Sequence, residues 1–130
     1  MRPTSEILID ALESFEGGKR WIKDRLLNTV PGAIPNKIVP VKLAAEAESF
    51  CAVGAIYRSI AKHGELTGPM LNYDEIKGVC NNLAKFTNGD RIVNVNDYAK
   101  NFTPVKELFC KAIKHAVEQE QKEQEVSTDA

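Results

Sequence analysis

The chain carries its most apolar window at Phe50-Cys51-Ala52-Val53-Gly54-Ala55-Ile56-Tyr57, eight residues without a charge in a sequence in which 27% of residues are charged. Apolar residues continue at helical spacing through Ile60 and Ala61. A helix that is apolar on nearly all sides must be enclosed by other elements. We therefore predict a central core helix that starts between residues 42 and 49 and ends at His63-Gly64.

Gly54 is the unusual residue of this predicted helix, because glycine in a helix interior costs about 1 kcal/mol relative to alanine. Its presence predicts the close approach of another backbone or of a bulky ring, for which Trp21 is the candidate. At the other end, His63 directly before Gly64 is expected to cap the helix C-terminus, where cations complement the helix dipole.

Apolar residues at i, i+3 and i+4 spacing predict three further amphipathic helices. The first covers about residues 4–16, with Thr4 as its N-cap and Gly17-Gly18 as its end. Another is capped by Asp74 and closes near residues 86–89. The last begins at Thr103-Pro104 and keeps an unbroken apolar stripe to Val117.

Two segments between these helices are less regular. Residues 19–27 favour a short helix with a basic outer face and with Trp21, Ile22 and Leu26 facing inward. Prolines exclude a long helix from residues 28–42, where 37–42 is either a short edge strand or part of an ordered loop over the core. Residues 91–95 alternate polar and apolar types, so they are predicted to be extended and offer a partner for 37–41.

These segments together predict a mainly α fold, a single small domain of four to five helices with one short two-stranded β element if 37–41 and 91–95 pair. The domain covers residues 1–117. Residues 118–130 have no apolar stripe and many glutamates and glutamines, so they are predicted to form an acidic, disordered tail.

Charge and cysteine usage exclude several classes of protein. A formal net charge of -1 gives no electrostatic argument for binding nucleic acid or an anionic membrane. The N-terminal apolar run is too short and too interrupted for a signal peptide or a membrane span. Cys51, Cys80 and Cys110 are far apart and lie in helical apolar patterns, as buried thiols in a reducing compartment do. A cytoplasmic location is the expectation.

No metal or cofactor site is expected. Cysteine and histidine do not occur in the closely spaced pairs that zinc requires. Asp90, Asn94, Asn96 and Asp97 suggest calcium, but their spacing lacks the D-x-D-x-D-G loop with a twelfth-position glutamate. Capping of turns and of the next helix fits them better.

An enzymatic alternative would use Cys51 as a nucleophile near a helix N-terminus, where the dipole lowers a thiol pKa. His63 or His115 would be the general base and Asp97 the orienting group. His63 lies about 18 Å from Cys51 at 1.5 Å per residue of a continuous helix, so only His115 could reach it, through tertiary packing. The favoured interpretation of Cys51 is a buried core residue.

The irregular segments supply the predicted binding residues: Lys19, Arg20, Trp21, Asn96 and Asp97. The predicted surface joins them to the proline-rich loop 31–40, because such segments commonly carry function. Basic residues around the only tryptophan also match a phosphate-and-stacking patch for nucleic acid. That alternative, confined to residues 19–25, is weaker because no second basic cluster extends the patch.

Three sequence blocks also support a resemblance: Gly17-Gly18-Lys19-Arg20-Trp21, Cys51-Ala52-Val53-Gly54-Ala55, and Asn96-Asp97 followed by Thr103 to Leu108. Together they resemble an uncharacterised family of small bacterial and phage proteins, defined only as a domain of unknown function. The likeness spans about residues 7–116. It departs from the family pattern in the loosened Gly-Trp element and in Val95, which stands where a Trp often precedes the Asn-Asp pair.

The resemblance implies a bacterial or phage origin and no particular activity. We therefore expect a non-enzymatic, cytoplasmic binding or interaction domain whose partner is a protein, such as a host protein if the chain is phage-encoded. The Cys51-dependent enzyme is the alternative, and nucleic-acid binding through residues 19–25 is the weaker one.

Overall fold

A computed structural model of the chain describes residues 1–30, 38–66 and 68–129, the side chains of 126–129 excepted. Over these residues the helices are α1 (Thr4–Ser14), α2 (Val41–Glu46), α3 (Ala52–Lys62), α4 (Tyr73–Ala84), α5 (Ile92–Tyr98) and α6 (Thr103–Asp129). Two strands, β1 (Ile38–Pro40) and β2 (Met70–Asn72), pair antiparallel with Val39 opposite Leu71. The predicted mainly α single domain is confirmed. None of its described helices is long and apolar enough to cross a membrane.

The α3 helix lies at the centre of the core, in contact with α1, α2, α4 and α5. Its Ala55, Ile56, Tyr57 and Ile60 are fully buried. Just before it, the Phe50 ring packs against Phe15 of the α1 end with ring centroids 5.1 Å apart. The prediction that the Phe50–Tyr57 window organises the core is therefore confirmed.

The predicted start of the central helix was wrong, because the chain forms two helices, α2 and α3, separated by residues 47–51. In the interval the backbone bonds to another segment instead of continuing the helical ladder. Phe50 N–H donates to the Arg20 carbonyl at 2.9 Å, and Cys51 N–H donates to the Leu26 carbonyl at 3.1 Å. The α3 helix thus begins with Cys51 as its N-cap.

Residues 19–27 do not form the predicted short helix, for the same reason. Trp21 and Leu27 make isolated bridges to Phe50, and Ile22 N–H donates to the Phe50 carbonyl at 3.2 Å. Asp24 adopts a left-handed conformation with φ of 62°. The apolar residues of this segment have helical spacing, but its backbone groups form hydrogen bonds with Phe50 and its neighbours instead of helical hydrogen bonds.

Gly54 fulfils the expectation of a close backbone approach, although its neighbour is Leu26 rather than Trp21. A Cβ at position 54 would lie 1.9 Å from the Leu26 carbonyl oxygen. The loop that contains Leu26 therefore crosses α3 at a point that only glycine permits.

Of the two alternatives for residues 37–42, the edge strand is the one observed, as β1 with Pro40 at its end, but its partner is β2. The predicted extended segment at 91–95 is wrong, since these residues belong to α5. Ile92, Val95 and Asn96 occupy i, i+3 and i+4 and form the inward face of that helix. Residues 31–37 of the predicted proline-rich loop lie outside the described residues.

Helix termini differ from the sequence predictions in two places. Thr4 is the first residue of α1 and Pro3 precedes it, so no local side chain caps this helix. Instead, Ser5 donates from its backbone N–H and its hydroxyl to the Glu120 carboxylate of α6, at 3.1 and 2.5 Å. The α4 helix is capped by Asn72, not by Asp74, in a capping box with Glu75.

The α6 helix continues beyond the predicted end of the domain at Val117. The described helix runs to Asp129. The disorder predicted for residues 118–130 stays a prediction, but the contact between Glu120 and α1 gives this segment a structural role.

Candidate binding cleft around Asn96

Asn96 is the buried polar centre of the region where the loop 20–28, α3 and α5 meet. Its side chain is 1% exposed. Its Oδ1 accepts from Trp21 Nε1–H at 2.8 Å and from Ala52 N–H at 3.0 Å. Its Nδ2 donates to the Ile22 carbonyl at 3.0 Å and to Asp97 Oδ1 at 2.9 Å. One amide therefore links three segments that are distant in sequence.

Asp97 extends this network to the surface. Its Oδ1 also accepts from the Asp24 backbone N–H at 3.0 Å. Because Asp24 has a positive φ, this bond fixes a turn that most residues adopt with difficulty. The Asp97 carboxylate is thereby held in one orientation at the rim of the cleft.

The cleft itself has a volume of about 270 Å³. Its apolar walls come from the loop, the start of α3 and the start of α5, and are formed mainly by Leu26, Ala52, Val53, Ile92 and Val93. Asp24, Arg25 and Asp97 supply charged groups, while Cys51 and Asn96 lie at its base. Leu26, Val53 and Ile92 are half-buried, and Val93 is 38% exposed.

Cys51 lies at the helix N-terminus, as the enzymatic hypothesis required, but its environment opposes ionisation. Its Sγ accepts from Gly54 N–H at 3.3 Å. Burial raises the pKa of the Cys51 thiol to about 11, although the hydrogen bonds from Gly54 and Val53 act in the opposite direction. The thiol is therefore protonated at neutral pH, and it serves as the N-cap of α3.

The structure brings Asp97 into the cleft with Cys51 but places His115 elsewhere. His115 Nε2 lies 3.1 Å from Lys85 Nζ, and its ring packs against Phe86. It lines a separate groove of about 1040 Å³ between the N-terminus, α4 and α6. His63, the other histidine, lies at the C-cap of α3 as predicted, with Nε2 3.3 Å from Asp10 Oδ2.

Of the predicted binding residues, Trp21, Asn96 and Asp97 are joined by hydrogen bonds, whereas Lys19 and Arg20 do not line the cleft. Arg20 pairs with Glu16 on the α1 side. Trp21 contributes its N–H to Asn96, and its ring lies 5.6 Å from Lys23 Nζ and 6.1 Å from the Phe102 ring centroid. Within the described contacts, Trp21 anchors the loop 20–28 to Asn96 of α5.

The apolar wall residues were missed by the sequence interpretation. Val93 falls outside the inward stripe of α5, and a surface valine carries no signal on its own. Leu26 was expected to be an inward residue of a helix. The sequence signal that could have located these walls was the Asn96-Asp97 pair, which lies a few residues after the apolar residues 92 and 93.

A second polar cluster was also missed, and it joins the N-terminus to the end of α3. The Arg2 guanidinium contacts Ser59 Oγ at 2.8 Å and pairs with Glu65, while Ser59 Oγ donates to Asp10 Oδ2 at 2.5 Å. Burial acts to raise the pKa of Glu65, but the hydrogen bonds and charge of Arg2 outweigh it, and the pKa is lowered. These groups satisfy one another, as a structural clamp does.

Metal ligation finds no support in residues 1–30, 38–66 and 68–129, where no group of His, Cys, Asp or Glu side chains is arranged to hold an ion. Comparison with known proteins gives no family model, curated protein or solved structure that matches the chain. The resemblance to the family of small bacterial and phage proteins therefore stays a prediction.

Proposed function

We propose that the chain is a non-enzymatic binding domain whose partner, a protein, docks in the Asn96 cleft. The observation that carries this proposal is the contrast between the base and the walls of the cleft. The base is a satisfied hydrogen-bond network, whereas the walls leave Leu26, Val53, Ile92 and Val93 partly open to solvent. Apolar groups around a concave surface gain free energy when another molecule covers them.

The cleft is also positioned by regular elements rather than by a free loop. Asn96 ties the loop to both α3 and α5. Leu26 is held further by its carbonyl, which accepts from Cys51 N–H at 3.1 Å. A surface that is organised before binding loses less conformational entropy when a partner docks.

The enzymatic alternative has less support from the same region. Cys51 is buried, the pKa of its thiol is raised, and its sulfur is already a hydrogen-bond acceptor for α3. Thiolate chemistry needs the opposite conditions, an accessible sulfur and a lowered pKa. Nucleic-acid binding through residues 19–25 is disfavoured because Trp21 and Arg20 are engaged within the chain.

The cytoplasmic setting and the bacterial or phage origin belong to the same proposal. They rest on the three sequence blocks and on the widely spaced cysteines, of which Cys51 and Cys80 are buried as predicted and Cys110 is exposed. A partner identified by experiment would test both.

The experiment is affinity capture from an extract of the source cell with wild-type protein and two matched variants. Val93→Asp places a charge in the cleft wall, and Ile9→Asp places one on α1 at the same 38% exposure. We expect Ile9→Asp to retain the partner and Val93→Asp to lose it, with melting temperatures of both variants within a few degrees of wild type.

Equal capture by wild type and Val93→Asp would contradict the proposal. If Val93→Asp lowers the melting temperature markedly, Val93→Ser makes the same test with a smaller change. Loss of the partner in Ile9→Asp but not in the Val93 variants would move the binding surface to α1.

A further inference from the structure

We propose that the partner segment that enters the cleft carries a large apolar side chain directly beside a lysine or arginine. This inference rests on the proposed function, since it specifies the chemistry of the docking partner. It follows from the size of the cleft, the nature of its walls and the charges at its rim.

The small size of the cleft suits a side chain. Its volume of about 270 Å³ is close to the lower end of the range of small-molecule sites, roughly 300–1,000 Å³. Its walls are aliphatic, formed by Leu26, Val53, Ile92 and Val93. A single apolar side chain of a peptide fits both conditions, because anchor residues commonly fill one small apolar pocket.

The rim favours a positive charge next to that anchor. Asp24 and Asp97 contribute two carboxylates and Arg25 one guanidinium, so the charged lining is negative by one. No ion pair joins any of these three groups to another residue in the described part of the chain. A cation arriving with the anchor would therefore meet a carboxylate that is not already part of an ion pair.

Asp97 is the better placed of the two carboxylates. Its Oδ1 is held by the Asp24 N–H and by Asn96 Nδ2, so the orientation of the group is set before binding. A charged group that is already oriented loses little entropy on pairing.

The test uses ¹⁵N–¹H correlation spectra of the full chain with three blocked peptides. The probe is acetyl-Gly-Gly-Leu-Arg-Gly-Gly-amide, and the controls replace its Leu by Gly or its Arg by Gln. We expect the probe to shift the amides of Val93 and Asp97, the Gly control to shift nothing, and the Gln control to bind about two- to fivefold more weakly, the range for an exposed ion pair.

Two isosteric variants separate charge from structure. Asp97→Asn keeps an oxygen acceptor for the Asp24 N–H, and Asp24→Asn keeps a residue type that tolerates positive φ. Asp97→Asn should weaken the Arg peptide about two- to fivefold and Asp24→Asn by less, and both should leave the Gln peptide unchanged. Added salt should weaken only the Arg peptide.

The outcomes distinguish the two proposals. If the Arg and Gln peptides bind equally, or no peptide shifts any amide, the basic-apolar specificity is wrong, while loss of the partner in Val93→Asp would still support the cleft as the docking surface. If Val93→Asp keeps the partner, the proposed function fails, whatever the peptides do.

Discussion

At the scale of single residues, Asn96 connects the segments that form the candidate site. It is one of four buried polar residues among those described, and its amide serves Trp21, Ala52, Ile22 and Asp97. A buried donor or acceptor that loses its partner costs about 1–3 kcal/mol, more than the bond itself contributes. The sequence indicated that Asn96 was important but did not indicate whether its role was binding or support.

Asn96→Ala should therefore lower the free energy of unfolding by about 2–4 kcal/mol, because it leaves Trp21 Nε1–H and two backbone groups without their partner. Asn94→Ala is the matched control on the same helix, since it removes only one exposed hydrogen bond, to Asp90 Oδ1, and should lower the free energy of unfolding by about 1 kcal/mol or less. Urea denaturation measures both. Similar values for the two variants would show that Asn96 does not hold the loop.

Gly54 supplies a second prediction at this scale. Gly54→Ala forces a Cβ against the Leu26 carbonyl, whereas Gly78→Ala in α4 meets nothing within 4 Å. The first should destabilise the protein by about 1–3 kcal/mol, in spite of the better helix propensity of alanine. The second should stabilise it by about 0.5–1 kcal/mol. Thermal unfolding of the two variants tests this prediction. A Gly54→Ala variant more stable than wild type would contradict the close approach of the Leu26 carbonyl to α3.

Cys51 gives a pH prediction. Its pKa is raised from 9.0 to about 11 in the folded state, so the unfolded chain releases this proton at lower pH. The stabilising contribution is complete below pH 9 and is lost as pH rises through 11, on the order of 3 kcal/mol. Burial also raises the pKa of Tyr57 and Tyr73, which add to the loss at high pH.

Cys51→Ser should reduce this alkaline loss of stability while it keeps a capping oxygen at the start of α3. The measurement is the free energy of unfolding at pH 8, 9 and 10, compared between wild type and variant. An unchanged pH slope would mean that the thiol does not titrate as its burial requires.

At the scale of elements, local sequence patterns predicted some helices well and others poorly. The α1 and α4 helices and the start of α6 follow from local spacing and from signals such as Gly17-Gly18, so they were predicted close to their observed positions, whereas α6 runs past its predicted end at Val117 to Asp129. The predictions for residues 19–27 and 91–95 were wrong because tertiary contacts determine the secondary structure of both segments. The first segment pairs with Phe50, and the second turns Ile92, Val95 and Asn96 inward as a helix.

The α6 helix yields a prediction about the domain boundary. Glu120 supplies the cap that Pro3 cannot give to α1, and an anionic group there also complements the helix dipole. Glu120→Ala should cost about 0.5–2 kcal/mol, and Glu118→Ala, an exposed neighbour, much less.

Truncation tests the same contact. A chain that ends at Val117, the predicted boundary, should lose at least as much stability as Glu120→Ala, whereas one that ends at Gln121 keeps Glu120 and should lose less. Denaturant midpoints compare the four proteins. Equal stability of the two truncated chains would show that α1 does not need Glu120.

At the scale of the whole molecule, the candidate site joins parts of the chain that are more than 70 residues apart. Trp21 and Asn96 meet in the region where the loop 20–28 crosses the start of α3 at Gly54. The sequence predicted one surface that contains Trp21, Asn96 and Asp97, because all three were expected to lie in irregular segments. It could not identify the walls, since the exposure of Leu26 and Val93 depends on how three elements meet.

The central claim is that this cleft is the surface that binds the partner. The most direct measurement places a photo-crosslinking amino acid at position 93, with position 9 as the equally exposed control, in the native cell. We predict one discrete crosslinked protein from position 93, competed by excess wild-type chain and absent from position 9. Crosslinks from position 9 alone, or identical products from both positions, would contradict the claim.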